Sequence, residues 1–122
     1  MHELAVCQAL LAEVQRVANA AAAGPVTRVL LRVGALSGVE PRLLRRAFEV
    51  ARAGGVAADA ELRIERMPVR VECLLCHEVS DAAPNRLLCA RCGAWRTRVV
   101  AGDELMLQRI EFRPAPAVPQ AA

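Results

Sequence analysis

The sequence predicts an α+β protein in which two helices pack on a small sheet of about three strands, with a four-cysteine unit inserted before the last strand. Three patterns support this. Two segments carry apolar residues at three- and four-residue intervals, two others alternate apolar with charged residues, and a loop-rich stretch holds two Cys-x-x-Cys pairs.

The elements follow in chain order. From Glu3 to about Ala22, Leu4, Cys7, Leu11, Val14, Ala18 and Ala21 recur on one face, with Gln8, Gln15, Arg16 and Asn19 opposite. This is an amphipathic helix, and Gly24-Pro25 is expected to end it. In Thr27 to Val33, Val29, Leu31 and Val33 alternate with Arg28, Leu30 and Arg32, as in a strand. After a loop over 34–38, Pro41 fits the first turn of a second helix because its missing N–H would lack an intrahelical partner there. Leu44, Ala47, Phe48 and Ala51 form its buried stripe, and Gly54-Gly55 is expected to stop it. Glu61 to Glu65 reads as a half-buried strand, and Pro68 as an edge or a break. In the last strand, Glu104 to Phe112, Leu105 and Leu107 lie in one phase and Ile110 and Phe112 in the other. All four point inward only if one extra residue intervenes, so a bulge is expected at Gln108 or Arg109. The expected division is an α/β domain of residues 1–70 plus 101–112, an inserted domain of residues 71–100, and a disordered tail, 113–122, containing Pro114, Pro116 and Pro119.

Bulk properties narrow the function classes. A chain of 122 residues has room for one modest domain and a small appendage. With two Phe, one Trp and no Tyr, the core must come from Leu, Val and Ile, and a large aromatic binding surface is not expected. The start of the chain lacks a basic leader, Gln8 and Glu13 interrupt any signal-like apolar stretch, and no apolar run is long enough to span a bilayer. A soluble cytoplasmic protein is expected, and in a reducing compartment paired cysteines point to metal rather than to disulfides.

The pattern Cys73-Leu74-Leu75-Cys76, twelve residues, Cys89-Ala90-Arg91-Cys92 suits a tetrahedral four-thiolate zinc, because a two-residue gap turns both sulfurs of a pair toward one point. Two disulfides, a redox pair or an iron centre are the competing uses of the same sulfurs. A closed sulfur shell leaves no position for water or substrate, so such a zinc is structural and does not make the protein an enzyme. Its four thiolates and the ion would bring the formal charge from +3 to about +1, which weakens the case for a nucleic-acid binder. That case rests on Arg86, Arg91, Arg96 and Arg98 around the metal loop, and few stacking aromatics accompany them. His77 is expected to be an exposed loop residue and Cys7 a small buried hydrophobe, while Trp95 is expected to pack over the metal loop rather than face a partner.

His2 directly follows the start residue. The Met1 amine, the His2 amide and imidazole nitrogens and the Glu3 amide lie within one short stretch, a donor set that favours square-planar nickel(II) or copper(II). The alternatives are a solvated terminus and, for Glu3, a carboxylate placed favourably in a helix's first turn.

Several motifs in order give the chain a close resemblance to the HypA/HybF family of hydrogenase nickel-incorporation proteins. They are Met1-His2-Glu3-Leu4 with Cys7-Gln8, the run Gly34-Ala35-Leu36-Ser37-Gly38-Val39-Glu40-Pro41, Phe48-Glu49, the two cysteine pairs, and Gly102-Asp103-Glu104-Leu105. The resemblance covers about residues 1–112. It implies a nickel metallochaperone with no catalysis of its own: transient nickel at His2, with Met1 and Glu3 supplying amine and backbone donors, and structural zinc at Cys73, Cys76, Cys89 and Cys92. The implied partners are the GTPase HypB and the large subunit of a NiFe hydrogenase.

Overall fold

The computed structural model describes residues 2–114. Met1, one of the expected nickel donors, and residues 115–122, most of the expected tail, lie outside the described residues.

Helix α1 spans His2–Ala21 and buries Cys7, Leu10, Val14 and Ala18. Leu10 replaces Leu11 at the centre of the stripe, and Ala21 is exposed. The helix stops before Gly24-Pro25: Ala22 turns left-handed at φ 48° and Ala23 N–H reaches back to Ala18 O at 3.3 Å, a Schellman-type end built on alanine. Strand β1, Val26–Gly34, follows, then helix α2, Pro41–Ala51. Glu40 caps α2, its carboxylate accepting the Arg42 N–H at 3.0 Å, with proline in the first turn.

Strands β2 (Glu61–Met67) and β6 (Leu105–Phe112) flank β1, β2 parallel and β6 antiparallel, in the order β2-β1-β6. The helices cover the face that carries Val29, Leu31 and Val33, and one core cluster joins these to Cys7, Leu10, Val14, Leu44, Phe48 and Leu62. The other face is a lattice of ion pairs, Arg28 with Glu61 and Glu111 and Arg32 with Glu65. Such exposed pairs add little stability individually, and they keep that face solvated.

The expected bulge is present. Leu30 pairs with Arg109 but Leu31 with Leu107, so Gln108 is the extra residue, and Leu107, Ile110 and Phe112 all pack on the core. Leu105 sits at the rim and is more exposed than expected. A second bulge, at Thr27, turns Val26 inward beside Val29, and the Thr27 hydroxyl donates to Glu111 O at 3.1 Å.

A single residue, Pro68, separates β2 from β3 (Val69–Cys73), which leads into a second sheet with β4 (Val79–Ala82) and β5 (Thr97–Ala101) in the order β4-β3-β5. The chain returns to β6 through Gly102. There the backbones of Gly34 and Gly102 nearly touch: a Cβ on Gly34 would stand 2.2 Å from Gly102 O, and one on Gly102 2.7 Å from Val69 Cα. Gly34 N–H donates to Glu104 O at 2.8 Å, Leu36 N–H to Gly102 O at 2.7 Å and Ala35 N–H to Met67 O at 3.1 Å. The loop after β1 therefore ties both ends of the second sheet to the first. Beyond β6, Arg113 N–H donates to Pro25 O at 2.8 Å.

Candidate metal centre

Two tight turns bring the cysteines together. The first follows β3, where His77 takes a left-handed conformation at φ 64° and its N–H closes onto Cys73 O at 3.0 Å. The second is closed by Gly93, φ 76°, whose N–H donates to Cys89 O at 2.9 Å. Here glycine relieves the strain that His77 bears. The four sulfurs lie within 4.8 Å of one another. Cys73 Sγ is 3.6 Å from Cys92 Sγ, and Cys76 Sγ is 3.6 Å from Cys89 Sγ. A tetrahedral zinc with bonds of about 2.3 Å requires sulfurs roughly 3.8 Å apart, whereas a disulfide brings them to about 2.0 Å. All five cysteines are free thiols, so the disulfide alternative does not describe this fold. The four form a zinc-binding cluster.

Backbone donors favour the thiolate at two of the four cysteines. Cys73 Sγ accepts the Cys76 N–H at 3.3 Å and the Leu75 N–H at 3.4 Å, and these bonds hold its pKa below the usual thiol value. The Cys92 N–H does the same for Cys89 at 3.4 Å, helped by the Arg91 N–H, and lowers that thiol to about 6. At Cys76 the Glu78 N–H also acts to lower the pKa, but desolvation and the neighbouring sulfurs outweigh it and push that thiol up to about 11, and Cys92 is raised as well, so the backbone favours two of the four thiolates that zinc needs.

Arg91 and Arg98, two of the four arginines that suggested nucleic acid, are engaged by Glu78 and Glu72. Trp95 departs from expectation. It is 73% exposed and carries the Arg96 guanidinium over its ring at 5.3 Å instead of covering the metal loop.

Cys7 is fully buried, as expected, and its thiol donates to Leu44 O at 3.4 Å. Burial, and secondarily the Glu3 carboxylate, push its pKa up to about 11, so it stays a neutral thiol.

His2 and Glu3 open α1. The His2 side chain is 53% exposed, and Nδ1 lies 3.9 Å from Glu3 Oε2. Amides in the first helical turn have no intrahelical acceptor, so the His2 and Glu3 N–H groups are free of helical bonds. The Glu3 side chain, only 16% exposed, accepts the Glu40 N–H at 3.5 Å and so joins the start of α1 to the cap of α2. Sequence reasoning placed Glu3 on its own helix and did not foresee this bond. The Glu40-Pro41 cap signature was the available signal, but nothing local shows which side chain meets its N–H.

Residues 1–112 match the family model described as hydrogenase/urease nickel incorporation, metallochaperone, HypA. The chain is 43% identical over 112 residues to the hydrogenase maturation factor HypA of Nitrosospira multiformis, covering 92% of this chain and 97% of that protein. It is 38% identical to the factor of the same name from Shewanella sp. strain MR-7, covering 92% and 95%. Among solved structures it resembles the nickel metallochaperone HypA of Helicobacter pylori, with 28% identity, a TM-score of 0.66, and coverage of 90% of this chain and 96% of that one. A second HypA solution structure gives 30% identity, a TM-score of 0.71 and coverage of 93% and 97%.

Proposed function

Since the chain belongs to the HypA family of nickel-incorporation metallochaperones, we propose that it takes up nickel at the first turn of α1 and delivers it to a NiFe hydrogenase under assembly. The observation that carries this is the match over residues 1–112, which includes an exposed His2 whose neighbouring amide nitrogens are free of helical bonds. The proposed donors are the Met1 amine, the His2 amide and imidazole, and the Glu3 amide. The Glu3 carboxylate is spoken for by Glu40. Cys73, Cys76, Cys89 and Cys92 hold the structural zinc, which when bound supplies a rigid crosslink and, with its shell closed, no catalysis.

Residues 1–70 plus 101–112 would act as the nickel-binding unit and 71–100 as the zinc unit. The proposed partners are the GTPase HypB and the hydrogenase large subunit, in the cytoplasm, where thiols stay reduced. Among the described residues no helix is long and apolar enough to cross a membrane. The nickel site suits a carrier: a frayed first turn releases its ion at low cost.

Two extra residues placed before Met1 displace the amine from the chelate. They should abolish tight nickel binding and leave zinc content unchanged, as should His2→Ala. Unchanged nickel affinity in the extended protein would refute the donor set.

A further inference from the structure

The zinc turns present an apolar tip. Leu74, Leu75 and Trp95 are 53%, 60% and 73% exposed, and Leu74 N–H donates to Arg96 O at 2.9 Å, which sets the first turn beside the Trp95-Arg96 segment. Nothing in the fold uses them: Trp95 and the two leucines lie outside the core cluster.

The charges around this tip are specific. Between Val69 and Ala101 there are five arginines, at 70, 86, 91, 96 and 98, and three acids, Glu72, Glu78 and Asp81. Each acid is taken by one arginine, Asp81 by Arg70, Glu78 by Arg91 and Glu72 by Arg98. Arg86 and Arg96 are left without a carboxylate partner among the described residues, and Arg96 is held flat against the indole. Tryptophan and arginine are both among the residues enriched where interfaces concentrate their energy.

We infer that the zinc turns form a docking surface, built from Leu74, Leu75, Trp95 and Arg96, for a segment of a maturation partner protein that brings an apolar side chain beside a carboxylate. This rests on the metallochaperone function proposed above. Charge complementarity selects the occupant. Zinc with four thiolates carries a formal charge of about −2, so the unit is not the broad cationic surface that tracks a phosphate backbone. One free guanidinium on an apolar platform fits one acid in an apolar segment. The surface lies on the opposite unit from His2, so docking and nickel transfer use different residues.

The test uses the zinc-loaded full chain and the variants Trp95→Ala, Arg96→Glu and Leu75→Ser, with purified GTPase and purified hydrogenase large-subunit precursor as probes, each titrated by calorimetry. Zinc content and nickel affinity are measured in parallel. At least one probe should lose tenfold or more in affinity with Trp95→Ala and with Arg96→Glu, while both metals bind as in the parent. Less than a twofold change for both probes would overturn the inference and leave the carrier function standing, as would failure of both to bind the parent when it still binds nickel. Loss of nickel binding by the parent would instead count against the carrier function. Salt-sensitive binding of a single-stranded oligonucleotide, abolished by Arg96→Glu where neither protein responds, would assign the surface to nucleic acid and overturn the inference.

Discussion

Replacing Gly34 by alanine should destabilise the protein far more than a methyl group ordinarily does. The new Cβ would lie 2.2 Å from Gly102 O, 2.4 Å from Gly102 C and 2.9 Å from Glu104 O, all main-chain atoms. No rotamer change relieves such contacts, so the two backbones must part by roughly 1 Å or more. Parting them strains the Gly34 N–H bond to Glu104 O and the Leu36 N–H bond to Gly102 O, at 2.8 and 2.7 Å. Two weakened bonds at about 1 kcal/mol each, plus overpacking of about 1 to 2 kcal/mol, give about 3 kcal/mol. For a chain of this size that lowers Tm by roughly 10 °C. Gly38→Ala is the control: its φ is 78° and nothing lies within 4 Å, so only the left-handed backbone cost of about 1 kcal/mol applies. Urea unfolding of the zinc-loaded proteins compares them. If Gly34→Ala is no less stable than Gly38→Ala, the contact at Gly102 is not the constraint described.

Three further outcomes are expected. Because folding raises the Cys7 pKa from 9.0 to about 11, the folded state holds that proton more tightly than the unfolded chain does. The resulting stability, of order 2 kcal/mol, is complete below pH 9 and drains away as pH rises toward 11; urea unfolding across that range should show the slope in the parent and not in Cys7→Ala. Deleting Gln108 removes the bulge and forces either Leu107 or the pair Ile110 and Phe112 off the core face, at a cost of about 2 kcal/mol or more; a deletion variant as stable as the parent would show that the strand can shift its register freely. Chelating zinc from the full chain should abolish hydrogen-exchange protection in Val69–Cys73 while Val29–Val33 keep theirs, whereas joint loss would show that the two sheets unfold as one unit.

Local periodicity made much of this molecule legible. The two helical stripes, the alternation in β1 and β2, the break at Pro68 and the cysteine spacing each depend on neighbours a few residues apart. The Gln108 bulge was legible too, because Leu107 and Ile110 cannot share a strand face without it. What escaped depends on distant partners. Gly34 and Gly102 were visible as motif residues, but their glycine requirements come from distant backbone, that of Gly34 from Gly102, 68 positions away, and that of Gly102 from Pro68 and Val69. The Thr27 bulge is dictated by pairing with β6. That an indole seeks burial is a general expectation, and only the folded chain shows Trp95 left exposed with Arg96 over its ring. Of the site, the cysteine cage was readable from spacing, while the bond from Glu40 to Glu3 was not.

The excursion from Met67 to Gly102 has a kinetic consequence. Strand β6 finds β1 only after the intervening chain has closed a loop of about 35 residues, the kind of non-local step that slows folding. A metal that clips Cys73 to Cys92 at once reduces the slack to about 15 residues, which spares roughly 0.7 kcal/mol of closure entropy. A newly made chain that meets zinc early should therefore complete its first sheet roughly threefold sooner than one that meets it late. The ion then serves as a timing element in the birth of the carrier as well as a brace in the finished one.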